Sequence, residues 1–447
     1  MALDWQQFGL RRNPFETLPL VEGGDLPIEE AFVGRVTERE TIDQLLEQES
    51  SLCLIIAGEV GVGKTSLVNF QKFIWKYRKT KLLFSSRREI EASEYLLDKR
   101  NFLLEIIGSV LREIQLLDSA LLKDPLLQKI QRVVEVSQSV SISGGASILG
   151  YGLNASRAKD LGAPVELTVT ILEGYLRDLV GFLKEKTVGD YKYSGLIVHV
   201  NNFDVVLESN EEGVKKFFNE IRDILQIPDI YFIFIGPINF YEKVLVPLQR
   251  VRSIFHDLPL IIKPMSKTDV REALNHRMEL LKSDDVSTFI KPFEDMLVSE
   301  LYDLFDGDIR SILRALVSIL REYSDRLAKT LTVKEGLLLL CRELWRMIEQ
   351  NAAPTDEQRQ ILQFIADQDK PVSNKEIADA LQKQESNMSA YYLKPLKDAG
   401  IIELKEQRGR QKFWGISKRY SILSRFNELQ EEAVADSSED IAQLKLL

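Results

Sequence analysis

The sequence predicts an α/β fold built on a parallel sheet, then an all-helical segment, then a small unit of helices and a hairpin. Three observations carry this. Apolar runs that read as buried strands alternate with stretches of helical spacing from residue 52 to about 235. From Lys267 to about Gln350 only helical spacing remains. One stretch, Gly58-Glu59-Val60-Gly61-Val62-Gly63-Lys64-Thr65, matches the phosphate-binding pattern G-x-x-x-x-G-K-[ST] at every fixed position.

The elements follow in order. Residues 1 to about 40 read as an ordered lead-in, punctuated by Asn13-Pro14-Phe15 and Phe32-Val33-Gly34-Arg35. A helix is expected from about Glu38 to Glu49. Leu52 to Ala57 is an apolar strand, and Ser66-Leu67-Val68-Asn69-Phe70 opens a helix, so the glycine loop sits between strand and helix as its chemistry requires. Lys81 to Ser85 reads as a second strand, and residues 93 to 117 as a helix. Residues 137 to 157 alternate polar and apolar positions around Gly144-Gly145, which predicts either a hairpin insertion or a small-residue linker. A long helix is expected from Pro164 to about Lys186, a strand at Leu196–Val200, a helix from about Glu211 to Leu225, and a strand at Ile230–Ile235.

The glycine loop defines the first chemistry. Glycines let the backbone wrap a triphosphate, with amide N–H groups pointing inward. The following helix adds its N-terminal partial charge. Lys64 would reach the β- and γ-phosphates of ATP and Thr65 would hold Mg²⁺, with Gly58 through Gly63 and Ser66 completing the cradle. After the strand at 196–200 the chain reads Asn201-Asn202-Phe203-Asp204, where nucleotide hydrolases of this kind carry an acidic pair. An amide can bind Mg²⁺-held water, so Asn201 is an indirect metal candidate, but it cannot act as a base. Asp204 could replace the acid only if the strand ended elsewhere; otherwise another segment would have to supply the carboxylate.

Composition sets outer bounds. At about 100–200 residues per domain, 447 residues suggest two to four domains. With 45% hydrophobic and 28% charged residues, the chain resembles ordinary soluble globular protein. No apolar run approaches the ~18 residues of a membrane span, and the first residues lack the pattern of a secretion signal. The two cysteines, Cys53 and Cys341, cannot form a disulfide framework, so a cytoplasmic location is expected. A net charge of −10 argues against coating nucleic acid over the whole surface, though not against one basic module.

Residues 354–420 have a winged-helix outline. Asp356 to Ala366 has helical spacing, Ser373-Asn374-Lys375-Glu376 is a capping box opening a second helix, and Ser386 is the expected N-cap of a third. Ile401–Leu404 and Lys412–Ile416 then read as a hairpin. From Lys405 to Arg419 six cations stand against one acid, a local footprint for a phosphate backbone. Asn387, Ser389, Tyr391 and Lys394 on the third helix, with Arg408, Arg410 and Lys412 on the hairpin, are the candidate contacts to double-stranded DNA. The alternative is a winged helix that mediates protein contacts.

These segments in this order resemble the AAA+ ATPases of the replication-initiator type. The lead-in Phe32-Val33-Gly34-Arg35 resembles the part that packs beside adenine, which implies a nucleotide contact for Val33. Asn201-Asn202-Phe203-Asp204 stands where the family has Asp-Glu-x-Asp, so this chain departs at two positions. Arg250-Val251-Arg252-Ser253 resembles a segment whose first arginine reaches a neighbouring subunit's ATP, which implies Arg250 as an arginine finger with Arg252 in reserve. Gly307-Asp308-Ile309-Arg310 resembles the lid motif in which the arginine touches the γ-phosphate. Guanidinium is planar, always charged and matched to phosphate oxygens. The resemblance implies an AAA+ nucleotide-binding domain over 1–265, a helical lid over 266–350, a winged helix over 354–425 and an acidic tail over 426–447. It implies an ATP-binding switch or assembly factor with weak or partner-dependent hydrolysis, working by self-association or with another AAA+ or effector subunit. The other reading is a signalling ATPase of the STAND kind, or a regulatory subunit in DNA transposition or defence.

Overall fold

The computed structural model describes residues 3–142, 168–284, 289–323, 329–368, 370–409, 411–425 and 429. The chain divides into two compact units. One comprises residues 19–263, the other residues 1–18 with 264–447.

The 19–263 unit is a parallel sheet. Its strands are β1 (Leu52–Gly58), β2 (Leu83–Ser85), β3 (Ile90–Glu91), β4 (Gly195–Asn201), β5 (Ile230–Gly236) and β6 (Leu260–Ile262). Across the sheet the order is β2, β4, β5, β1, β6, with β3 continuing alongside β4. β1 therefore lies between β5 and β6, and all of these pairs are parallel. A one-turn helix at Ile28–Ala31 precedes α1 (Val36–Gln48), α2 (Lys64–Tyr77), α3 (Lys99–Leu117), α4 (Pro125–Ile142), α5 (Val169–Glu185), α6 (Phe203–Ser209), α7 (Glu211–Ile221) and α8 (Gln249–Arg252).

Strand alternation builds two cores. Leu54, Ile56, Ile197, Ile233 and Ile235 face one side and pack with Ile42, Leu46, Leu67, Val68 and Trp75 of α1 and α2. Ile55, Val198, Val200, Phe232 and Phe234 face the other and pack with α3, α5 and α7. Apolar residues on both faces explain why these strands read as continuous runs.

Several expectations change here. Residues 137–142 are the last turns of α4, not the start of a hairpin; once a helix is nucleated, each further residue adds a bond cheaply, and short small-residue alternation does not stop it. Residues 143–157 lie outside the described residues, as does the start of the helix expected from Pro164. Two strands were unread. β3 has two residues and no run to detect, whereas β6 sits in Leu258-Pro259-Leu260-Ile261-Ile262-Lys263-Pro264, a proline-bounded apolar run.

The second unit holds α9 (Lys267–Leu280), α10 (Asp295–Leu304), α11 (Ile309–Tyr323) and α12 (Val333–Ala352). The lead-in does not all stay with the sheet. Leu10 bridges Lys282, Ser283 N–H donates to Gly9 O at 2.9 Å, and the Phe15 ring tilts against Phe293 at 5.4 Å. Phe8, Leu10 and Phe15 are buried in this unit, which is what ties residues 3–18 to a segment 270 residues later in the chain.

The C-terminal part has α13 (Asp356–Ala366), β7 (Val372–Ser373), α14 (Asn374–Ala380), α15 (Glu385–Asn387), a π-helical stretch (Met388–Leu393), α16 (Lys394–Asp398), β8 (Ile402–Arg408) and β9 (Gln411–Ile416). β9 pairs antiparallel with both β7 and β8. Ser373 and Glu376 form the reciprocal capping box read from sequence. The third helix begins at Glu385 with Gln384 as its N-cap, two residues before the expected Ser386. A 3₁₀ stretch, Lys418–Arg425, returns to the helical segment, where Cys341 Sγ–H donates to Ile422 O at 3.6 Å and Lys418 pairs with Asp306. Burial pushes the Cys53 and Cys341 thiols up to about 12.

Candidate nucleotide site and basic wing

β1 ends at Gly58 and α2 begins at Lys64, so the loop between them hangs at the carboxyl edge of the sheet. Gly58 passes so close to β6 that a Cβ there would lie 2.5 Å from Ile262 O. Gly63 caps α2 at φ 90°, a conformation that side chains disfavour. The glycine pattern is thus required by local geometry.

Lys64 is buried, and its Nζ donates to Gly58 O and Glu59 O, both at 2.8 Å. Its ammonium is held over the loop by the loop's own carbonyls. Thr65 Oγ1 accepts a 3.1 Å hydrogen bond from Asn201 Nδ2. The sheet therefore brings together the hydroxyl and the amide that sequence assigned to the Mg²⁺ side. β4 ends at Asn201, one residue beyond the expected strand, and Asn202 turns the chain at φ 65° into α6. Asp204 falls in the first turn of that helix, beyond the strand's end. Ser66 Oγ accepts from Leu20 N–H at 3.1 Å, so its side chain anchors the lead-in.

One positioning residue was read only as part of a motif. Arg35, 8% exposed and at φ 58°, donates from Nη2 to Val62 O and from Nη1 to Lys263 O, both at 2.6 Å, and to Glu38 at 2.9 Å. It fastens the back of the glycine loop to the end of β6. Val33 lies two residues earlier and is half-buried. Neighbouring Phe32 stacks on Phe70 at 4.5 Å.

The far end of α2 carries a dense charge cluster. Lys76, fully buried, pairs with Glu113 at 2.6 Å and Glu22 at 3.1 Å. Arg87 reaches Glu113 at 3.0 Å through Nε, and its backbone N–H donates to the same carboxylate at 2.9 Å. One turn back, Lys72 is buried, donates to Arg87 O at 3.3 Å, and has its ammonium pushed down to about 8 by burial. Lys72 and His199 line a cavity of about 10 Å³. Neither ring nitrogen of His199 finds a protein partner among the described residues, and burial, aided by the Lys72 charge, holds its pKa well below the usual value.

The two arginine candidates are exposed. Arg250 lies on α8 with its side chain outward, whereas Arg252 Nε donates to Tyr241 Oη at 3.1 Å and is thereby occupied. Arg310 is the second residue of α11, behind the turn at Gly307 (φ 72°), and its N–H donates to Asp308 Oδ1 at 3.0 Å. Among the described residues no three His, Cys, Asp or Glu side chains converge as a metal cage. Among them, too, no helix is long and apolar enough to cross a membrane.

In the basic module, Asn387, Tyr391 and Lys394 are exposed on the third helix. Ser389 is half-buried, and its hydroxyl accepts from Asn374 Nδ2 at 2.8 Å, while Asn374 Oδ1 accepts from Trp414 Nε1 at 2.8 Å. That chain locks the helix to β9. On the hairpin, Arg408 grips Glu406 through Nε at 2.7 Å and Nη2 at 3.0 Å, and Lys405 pairs with Glu403. Lys412 is half-buried, and Arg410 lies outside the described residues. The hairpin is consequently less charged toward solvent than a count of its residues suggests.

Comparison with known proteins gives a family model and a set of solved structures. Residues 359–412 match the ribonuclease R winged-helix domain. No curated protein matches the chain. Among solved structures, the Aeropyrum pernix ORC1 protein in complex with DNA is similar at 17% identity over 95% of this chain and 98% of that one, with a TM-score of 0.46. The Aeropyrum pernix ORC2 protein, in ADPNP-ADP complexes, is similar at 15% identity over 96% and 100%, TM-score 0.46. Drosophila ORC bound to DNA is similar at 12% over 92% and 89%, TM-score 0.44. The chain itself has a parallel α/β sheet with a glycine-rich loop at the end of its β1, a helical segment, and a C-terminal winged helix.

Proposed function

We propose that this chain is an AAA+ ATP-binding switch that acts on double-stranded DNA through its winged helix, with slow hydrolysis. The observation that carries the proposal is the corner where Lys64 lies over the glycine loop and Thr65 is bonded to Asn201. Backbone N–H groups of Gly61 to Thr65 would hold the phosphates, Lys64 would neutralise the β- and γ-phosphates, and Thr65 with Asn201-held water would complete the Mg²⁺ shell. ATP supplies the phosphoanhydride bond and Mg²⁺ its charge neutralisation. Arg250, exposed, is the guanidinium group offered to phosphate in a self-assembled or partnered form. An asparagine pair in place of two acids supports a switch that holds ATP rather than a motor that turns it over rapidly.

The test is ATP binding by titration calorimetry with and without Mg²⁺. Lys64→Ala should weaken ATP by about 2–3 kcal/mol, roughly 30- to 150-fold, with the fold intact by circular dichroism. Equal affinity in wild type and variant would sink the reading.

A second reading is favoured by the internal pairing of Arg408 with Glu406 and of Lys405 with Glu403. Charges already satisfied serve phosphate less well, and the winged helix would then dock a protein, as in a signalling ATPase or the regulatory subunit of a larger complex.

A further inference from the structure

The asparagine pair leaves the nucleotide corner without an acid on its own strand, yet the neighbouring strand carries one. In the parallel pairing of β3 with β4, Ile90 is level with Val200 and Glu91 with Asn201. Ala92 N–H donates to Asn201 O at 2.8 Å, which fixes this register one residue past the strand. Level residues on neighbouring strands project to the same face, and successive residues to opposite faces. Ile90 and Val200 are both buried in the core beneath α3, α5 and α7. Glu91 and Asn201 therefore share the other face, the one on which Asn201 reaches Thr65. Neighbouring strands lie only about 4.8 Å apart.

The route between β2 and β3 preserves this placement. Ser85 is level with Ile197 and Ile90 with Val200, so four residues, 86–89, stand opposite two. An excess of one would have turned Glu91 to the buried face; an excess of two leaves the parity intact. Arg87, within the excess, is clamped by Glu113. Glu91 itself is exposed and has no ion pair among the described residues.

We propose that Glu91 is the carboxylate of this ATP site, supplied from β3 in place of the acids missing at positions 201 and 202. The assignment rests on the nucleotide reading above. Glu91 accepts a proton from the attacking water as the water oxygen bonds to the γ-phosphorus. The bond from that phosphorus to the bridging oxygen breaks, its electron pair leaves on ADP, and the proton passes to the released phosphate. Asn201 orients the same water and Thr65 steadies the Mg²⁺ side.

The full chain is tested as wild type, Glu91→Gln, Glu91→Asp, Asp204→Asn and Lys64→Ala. Binding is read with ATP by calorimetry across a Mg²⁺ titration, and turnover by single-turnover release of phosphate. Glu91→Gln should keep its ATP affinity, bind with a weaker dependence on Mg²⁺, and hydrolyse about 100-fold more slowly or less. Glu91→Asp should retain part of the rate. Turnover that survives in Glu91→Gln overturns the assignment, as does a wild type that binds ATP and hydrolyses none. Loss in Asp204→Asn with Glu91→Gln unimpaired also overturns it, and leaves the nucleotide reading standing. ATP affinity untouched by Lys64→Ala removes the nucleotide reading itself.

Discussion

The two ends of α2 treat charge in opposite ways. At its start, Lys64 donates to two loop carbonyls and Thr65 accepts from an amide. At its end, Lys76 is enclosed by Glu113 and Glu22, with Arg87 sharing both acids. Twelve residues apart on one helix, one lysine donates to carbonyls of its own loop and the other is enclosed by carboxylates. Pairing of the second kind holds the fold together.

The largest effect expected from breaking this contrast is at the paired end. Glu113→Ala should leave the buried Lys76 with Glu22 as its one carboxylate partner and cost about 3–5 kcal/mol, read by urea denaturation. ATP affinity measured well below the transition should persist, because the two ends are separate in function. Should stability hold, the cluster is ornamental and the contrast fails.

A somewhat smaller effect concerns Lys72, between the two ends. The unfolded chain keeps its proton to about 10.5, whereas the fold gives it up near 8. Between those values unfolding takes up a proton, so stability climbs with pH, by about 3 kcal/mol at most for this group. Below pH 8 the full cost of burying the charge is present. Both cysteines act oppositely above about pH 9, since burial raises them. The Lys72→Met difference in denaturation midpoint from pH 7 to 9 isolates the lysine: the variant should be the more stable at pH 7, and its advantage should shrink as pH rises.

The smallest effect sharpens the contrast on the wing. Lys412→Ala should lower the slope of log affinity against log salt for duplex DNA by about 1. Arg408→Ala should lower it less, because Glu406 already holds that guanidinium. A larger effect at Arg408 would mean that DNA displaces Glu406 and that the pairing is no guide to the surface.

Much of this was legible in the chain. The β1–loop–α2 unit could be read because pattern and flanking periodicity agree, and the Ser373–Glu376 box because a cap is a purely local device. The end of β4 was also readable to within one residue, since Leu196–Val200 is a continuous apolar run. Glu91 was not. Its place depends on a two-residue strand and on a register set by another segment more than 100 residues away, and neither leaves a periodic trace. The charges of the hairpin could be counted but not their partners: Arg408–Glu406 and Lys405–Glu403 are i, i+2 neighbours whose pairing depends on side-chain rotamers. The role of Arg35 likewise emerges only when Val62 and Lys263, remote in sequence, come within reach of one guanidinium.

Residues 3–18 belong to the unit completed by residues 264 onward. During synthesis the first segment leaves the ribosome and must then wait while the intervening 245 residues are made. At roughly 5–20 residues per second, that interval is about 12–50 s. Throughout it Phe8, Leu10 and Phe15 lack the partners that later cover them. The sheet unit, by contrast, is contiguous and can close as soon as β6 emerges. The chain thus matures from the middle outward, and a chaperone that binds short aromatic segments would find its target as soon as this segment emerges, well before residues 264 onward.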